Sequence, residues 1–367
     1  MKLIIQPDDG PASLLSAVKN AKKSVEIAIF RFDRNDMETA LKTVAAKGVK
    51  VTALIADTNR GGEKSLRQLE TRFLQAGITV ARTAGDLVRH HDKLIIIDRR
   101  ILYMLSFSFT HLDIDHSRGF GIVTKNAALV QEASKLFEAD CGRRPYAPGS
   151  DSLVVSPANA RKVLRDFLKG TKKQLLIYDP QIADKEMISI LQGRDKAGVE
   201  IRIIGKISGR GRFDAHKLSR MRLHTRTFIR DRHQAFIGSQ SLRTAELDSR
   251  REVGVIVRKS GIVKKLLATF ESDWVAIGGV NEPETAAEQS PQSVSEKAAK
   301  KAVAILAHEL RPLSRTVREA VKKVVAQTGN EVLHDQNVKS TVKKVIKKAV
   351  KKAVKEAVQD SQVARAV

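Results

Sequence analysis

The feature that most restricts how this chain can fold is that it repeats itself. Residues 90–124 read HHDKLIIIDRRILYMLSFSFTHLDIDHSRGFGIVT, and residues 223–257 read LHTRTFIRDRHQAFIGSQSLRTAELDSRREVGVIV. The two stretches superpose without a gap. His91 falls on His224, Lys93 on Arg226, Asp98 on Asp231, and Ser106 and Ser108 on Ser239 and Ser241. A second duplication lies upstream. AKKSVEIAIFRF precedes DMETALKTVAAKGVKVTALI, and TKKQLLIYDPQI precedes DKEMISILQGRDKAGVEIRIIG. Each copy reads as a strand, a helix closed by Gly48 or Gly198, and a second strand over 49–55 or 199–204. Strands alternating with helices predict an α/β sheet, and a doubled pattern predicts two of them, in halves spanning 1–148 and 149–280.

Composition bounds what such a body meets. The 367 residues are 42% hydrophobic, enough for a sizeable core. The formal charge of +25 points to polyanionic partners: nucleic acid, anionic lipid surfaces or phosphorylated substrates. One cysteine, Cys141, excludes an intramolecular disulfide and a cysteine-built zinc site. The stretch MKLIIQPDDG is too short in apolar residues for a secretory signal, and no run approaches a membrane span. The expected compartment is the cytoplasm, with membranes met only at their surface.

The charge is uneven. Residues 297–367 hold 17 Lys/Arg against 6 Asp/Glu, whereas 281–296 (NEPETAAEQSPQSVSE) hold four Glu and no base. That leaves 49 basic against 31 acidic residues in 1–280. The segment 281–296 reads as an acidic linker. The tail 297–367 reads as Lys-rich amphipathic helix: TVKKVIKKAVKKAVKEAV, from Thr341, carries a Val/Ala stripe at helical spacing, and VREAVKKVVAQTG ends at Gly329. Such helices lie on anionic membranes, bind nucleic acid by counterion release, or pair with one another.

Residues two apart on a strand face the same way, so His91 projects with Lys93 and His224 with Arg226. An imidazole beside a fixed cation suits an anion. Two such pairs suit a phosphodiester. One histidine attacks phosphorus to give a covalent phosphohistidine; the other protonates the leaving oxygen, then activates water or an alcohol. Lys93 and Arg226 clamp the non-bridging oxygens, with no metal or other cofactor required. Ser106, Ser108, Ser239 and Ser241 offer further hydrogen bonds to phosphate. His111, His116, His216 and His233 have no duplicated partner and read as surface or packing residues. SGRGRF at 208–213 reads as a solvated basic loop.

The strings H-x-K-x4-D (His91, Lys93, Asp98) and H-x-R-x4-D (His224, Arg226, Asp231), with GSQS at Gly238–Ser241 and RREVGVIV from Arg250, resemble the phospholipase D superfamily over residues 1–280. The resemblance implies a pseudo-dimer of two α/β/α halves sharing one active site, and metal-independent phosphodiester chemistry. It assigns His91 as nucleophile, His224 as general acid/base, and Asp98 and Asp231 as supporting members of the catalytic set. The family pattern has Lys where Arg226 stands, and G-S-x-N where this chain has Leu105-Ser106-Phe107-Ser108 and Gly238-Ser239-Gln240-Ser241. A family carboxylate that orients an imidazole is matched by Glu252, but its repeat partner is Gly119, with Asp113 or Asp115 as substitutes at a different spacing. The carboxylate retained in the second half argues for the reverse order of the two histidines. The favoured substrate is a phospholipid head group, with an anionic membrane met through 297–367. The alternatives are a nuclease of the same superfamily and a catalytically degraded anion-binding scaffold.

Overall fold

The computed structural model describes residues 1–278 apart from 58–62, 84, 86, 150 and 210–212. The linker at 281–296, the tail at 297–367 and residues 210–212, the basic part of SGRGRF, lie outside the described residues. Those described belong to one compact unit.

The first copy builds β1 (Lys2–Gln6), α1 (Ala12–Lys19), β2 (Ser24–Ile29), α2 (Asn35–Ala46), β3 (Lys50–Ile55), α3 (Glu63–Gln75), β4 (Thr79–Arg82), β5 (Arg89–His90), β6 (Leu94–Ile97), β7 (Ile101–Leu105), α4 (His111–Asp115), β8 (Ser117–Thr124) and α5 (Ala127–Cys141). The second builds β9 (Leu153–Ser156), α6 (Ala160–Lys169), β10 (Gln174–Ile182), α7 (Lys185–Lys196), β11 (Glu200–Ile207), β12 (Asp214–His216), β13 (Arg222–Leu223), β14 (Arg226–Arg230), β15 (Gln234–Gly238), α8 (Thr244–Asp248), β16 (Arg250–Val257) and α9 (Ser260–Gly278). The helices before β3 and β11 do end at the expected glycines: Gly48 and Gly198 adopt φ of 84° and 83°, a left-handed turn that costs glycine little.

The strand orders match copy for copy. One sheet runs β1-β8-β7-β6-β2-β3-β4, the other β9-β16-β15-β14-β10-β11-β12. Parallel pairs β2·β3 and β10·β11 follow from the helical crossovers, and the hairpins β6–β7 and β14–β15 are antiparallel. Leu94-Ile95-Ile96-Ile97 is buried on both faces: Leu94 and Ile96 join a core shared with the second half, while Ile95 and Ile97 pack under the outer helices. The shared core also takes in α5, α9 with its Phe270, and both sheets' inner residues, such as Phe120 and Tyr178. The layers are therefore helix, sheet, inner helices, sheet, helix: two α/β/α halves meeting across a common apolar seam.

Candidate active site

Two very short strands bring the repeated motifs together. β5 leaves its own half to pair with β16, Arg89 and His90 opposite Arg250 and Arg251. Next along the chain, the His91 N–H donates to the Arg251 carbonyl at 2.8 Å. β13 makes the reciprocal crossing onto β8, and the His224 and Thr225 N–H groups donate to the Arg118 carbonyl at 3.1 and 3.0 Å. Each histidine thus hangs from the backbone of the opposite half. The receiving arginines are themselves pinned. Arg251 pairs with Asp140 and donates to the Ser156 carbonyl, and Arg118 pairs with Asp273 and donates to the Gln6 carbonyl.

The side chains that converge are buried: His91 and His224 are each 7% exposed, Lys93 1% and Arg226 9%. The Nδ1 of His91 is 2.8 Å from Glu252 Oε2, and its ring meets Phe30 edge-on with centroids 4.4 Å apart. The Glu252 carboxylate therefore serves the first half's histidine, not the second's. Arg118 stands just before Gly119, the residue equivalent to Glu252, and His224 instead has Asp113 Oδ2 at 3.5 Å from its Nε2. Lys93 Nζ donates to the His91 carbonyl, and Arg226 Nη1 makes the equivalent bond to the His224 carbonyl at 2.7 Å.

Burial, then the charges of Lys93 and Arg226, hold His91 well below the usual imidazole range. Burial also holds His224 far down; Asp113 opposes this, while Arg226, Lys93 and Arg222 reinforce it. The cations of both motifs thus act on both rings. Burial lowers Lys93 to about 7 and raises Glu252 to about 7. A neutral His91 donating Nδ1–H to Glu252 keeps its Nε2 lone pair available for attack.

Not every residue expected at the site is there. Asp98 and Asp231 sit at the far ends of β6 and β14, about 17 Å along the strand from the lysine or arginine at about 3.3 Å per residue. They fill the first position of two-residue turns with φ of 53° and 50°, and each carboxylate gathers three consecutive backbone N–H groups: Lys22, Lys23 and Ser24, or Lys172, Lys173 and Gln174. Their work is structural. The Ser106 and Ser239 hydroxyls accept the N–H of Phe120 at 2.9 Å and of Val253 at 3.1 Å, clipping β7 to β8 and β15 to β16. Ser241 Oγ accepts from Arg226 Nε at 3.1 Å, so it fixes that guanidinium. Ser108 is 1% exposed and donates its N–H to Asp113.

Three contributors escaped the sequence reading. Glu246, the repeat equivalent of Asp113, lies 3.9 Å from Arg226 and accepts the Ser241 N–H. Arg222 grips Asp113 at 2.5 Å, and Phe30 lies under the cations of Lys93 and Arg89. The gapless duplication carried the signal for Glu246; nothing marked Phe30. Among the described residues no group of three His, Cys, Asp or Glu is placed to hold a metal ion, and no helix is long and apolar enough to cross a membrane.

Two crossed α/β halves with paired histidines and cations define a phospholipase D-like protein. The family model described as cardiolipin synthase, PLD-like domain, matches residues 14–141 and again 164–274, and the chain belongs to that family. It is 28% identical over 130 residues to the mitochondrial cardiolipin hydrolase of Danio rerio, covering 34% of this chain and 56% of that protein. It is 24% identical over 197 residues to the polyphosphate kinase of Vibrio vulnificus (strain YJ016), covering 49% of this chain and 28% of that one. The chain thus spans between about a quarter and just over half the length of these curated relatives. The fold is also that of the polyphosphate kinase from Porphyromonas gingivalis (TM-score 0.62, 19% identity, 74% of this chain and 50% of that one). The phosphatidylserine synthase of Haemophilus influenzae Rd KW20 shares it too (TM-score 0.57, 13% identity, 84% and 94%).

Proposed function

We propose that residues 1–280 hydrolyse or transfer a phosphodiester, with phospholipid head groups as the substrate class. The observation that carries this reading is the crossed carboxylate: Glu252, on β16, holds Nδ1 of His91 while Lys93 and Arg226 act on both imidazoles. His91 Nε2 attacks phosphorus, the bond to the leaving oxygen breaks, and that oxygen takes a proton from His224. In the second step water or an alcohol loses its proton to His224 and attacks, breaking the phosphorus–nitrogen bond. Lys93 and Arg226 stabilise the charge on the non-bridging oxygens in both steps. The contact with Glu252 supports His91 as nucleophile and removes the reason for the reverse order.

Lipid is favoured by the cardiolipin-hydrolysing relative and by an aromatic content of 4%, which offers few platforms for stacking bases. A nuclease is the second reading, favoured by 49 basic against 31 acidic residues in 1–280. Purified protein in EDTA is offered phospholipid vesicles, plasmid and single-stranded DNA. Head-group release with intact DNA is the expected result. DNA cleavage with intact vesicles establishes the nuclease, and turnover of neither with salt-sensitive binding establishes a scaffold.

A further inference from the structure

We propose that Asp113 is the positioning carboxylate of His224, moved to α4 from the β8 position that Glu252 occupies on β16. The inference rests on the phosphodiester reading above and names a residue for its second histidine.

The repeat shows why the move was needed. Glu252 lies on β16, and the equivalent place on β8 is Gly119. A β-carbon added there would lie 2.8 Å from Phe107 Cδ1 and 3.2 Å from its Cβ, and Phe107 is fully buried in the first half's core. No acidic side chain fits at Gly119 without displacing that ring. The charge arrives from the next element instead. Thr110 caps α4 by accepting the Asp113 N–H at 3.1 Å, which aims the Asp113 side chain back toward the site. One oxygen, Oδ2, accepts the Ser108 N–H at 2.8 Å and faces His224 Nε2 at 3.5 Å; the other, Oδ1, takes Arg222 Nη1 at 2.5 Å. At 4% exposure the carboxylate is held on three sides in a dry setting, where charge acts strongly.

Its repeat equivalent makes the specialisation visible. Glu246 on α8 accepts the Ser241 N–H at 2.8 Å, as Asp113 accepts that of Ser108, and its carboxylate lies among guanidinium groups, Arg250 at 3.1 Å and Arg226 at 3.9 Å. Both copies balance a guanidinium; Asp113 in addition has an imidazole nitrogen at 3.5 Å.

The charges facing His224 are Asp113 from α4, Arg222 from β13, Arg226 from β14, and Lys93 from the segment before β6. In the free protein burial and three cations keep the ring neutral. A diester anion seated on Lys93 and Arg226 offsets two of those cations. Asp113 then becomes the charge that favours the imidazolium, at the moment a proton donor is required.

The experiment follows the ring nitrogens of His224 by NMR against pH in the full chain, with inorganic phosphate as the site anion, the signal being assigned by its loss in His224→Gln. Asp113→Asn should lower the titration midpoint with phosphate bound by about one unit or more, and Asp113→Glu should restore most of it. Without phosphate the neutral ring of the unsubstituted chain should carry its proton on Nε2, the nitrogen that faces Asp113; this reading keeps the test valid if Asp113→Asn folds poorly. On a soluble diester, Asp113→Asn should move the alkaline limb of kcat down by the same amount with KM changed less than about threefold. A midpoint unmoved in Asp113→Asn, or a proton found on Nδ1 in the unsubstituted chain, overturns the assignment. The titration needs no turnover, so an inactive protein that still shows the shift would sink the phosphodiester reading and leave the pairing standing.

Discussion

Replacing Asp98 by alanine separates a structural residue from a catalytic one. The carboxylate accepts N–H groups from Lys22 at 3.0 and 3.1 Å, Lys23 at 2.6 Å and Ser24 at 2.9 Å, tying the turn after β6 to the start of β2. These amides reach water once the carboxylate is gone, so each loss costs about 0.5–1 kcal/mol, or about 2 kcal/mol for three. Alanine must also hold the left-handed backbone of position 98, φ 53°, at about 1 kcal/mol. The sum, about 3 kcal/mol, is well inside the stability of an ordinary domain, so the variant should stay folded at 25 °C. It should melt about 6–12 °C lower. Burial pushes the Asp98 carboxyl up, but the three N–H groups outweigh it and hold it below the usual 3.8. The deficit should therefore be full above that value and fade as pH falls through the lower folded value. Thermal unfolding and turnover of a soluble diester are measured on the same preparation. Unchanged kcat and KM in the folded protein are expected. Lost turnover with an unchanged melting temperature would refute the reasoning, and Asp231→Ala is expected to behave alike.

Glu252→Gln should lower kcat on the order of 10²-fold with little change in KM, because the neutral amide no longer stabilises the charge that develops on His91; equal loss in KM would argue against that role. Burial raises the Asp179 carboxyl to about 6, against the N–H groups of Leu242 and Gln181. A carboxyl raised in the folded state favours folding below its unfolded value of 3.8 and costs up to about 3 kcal/mol as pH rises to 6 and beyond. Asp179→Asn should flatten that slope in urea unfolding between about pH 4 and 6, and an unaltered slope would show that Asp179 is not its source.

Much of the architecture was legible because it is written twice. A gapless repeat of strand, turn and strand leaves little freedom, and both sheets have the same order as a result. The crossing that assembles the site was not legible. β5 and β13 are two residues each, too short to show any periodicity, and their pairing depends on partners about 160 and 105 residues away. Asp98 and Asp231 misled because they stand close to the histidines in sequence, while the intervening strands are extended and carry them to the opposite end. The sequence also did not show that the buried hydroxyls of Ser106 and Ser239 each accept an N–H from the neighbouring strand. Asp113 stood in view with Asp115, but a spacing rule for carboxylates on β8 could not say that Phe107 bars Gly119. Phe30 comes from the end of a different strand, where an apolar residue announces only core.

The claim on which the account depends is that a neutral His91, held by the other half's Glu252, becomes covalently attached to phosphorus. The direct measurement uses a radiolabelled diester with an aryl leaving group, which departs without protonation, and the His224→Asn variant, which cannot activate water for the second step. Alkaline quenching and peptide mapping should find about one labelled phosphate per chain on His91, and none when His91 is Asn. No label in either variant, or label on any other side chain, would contradict the account.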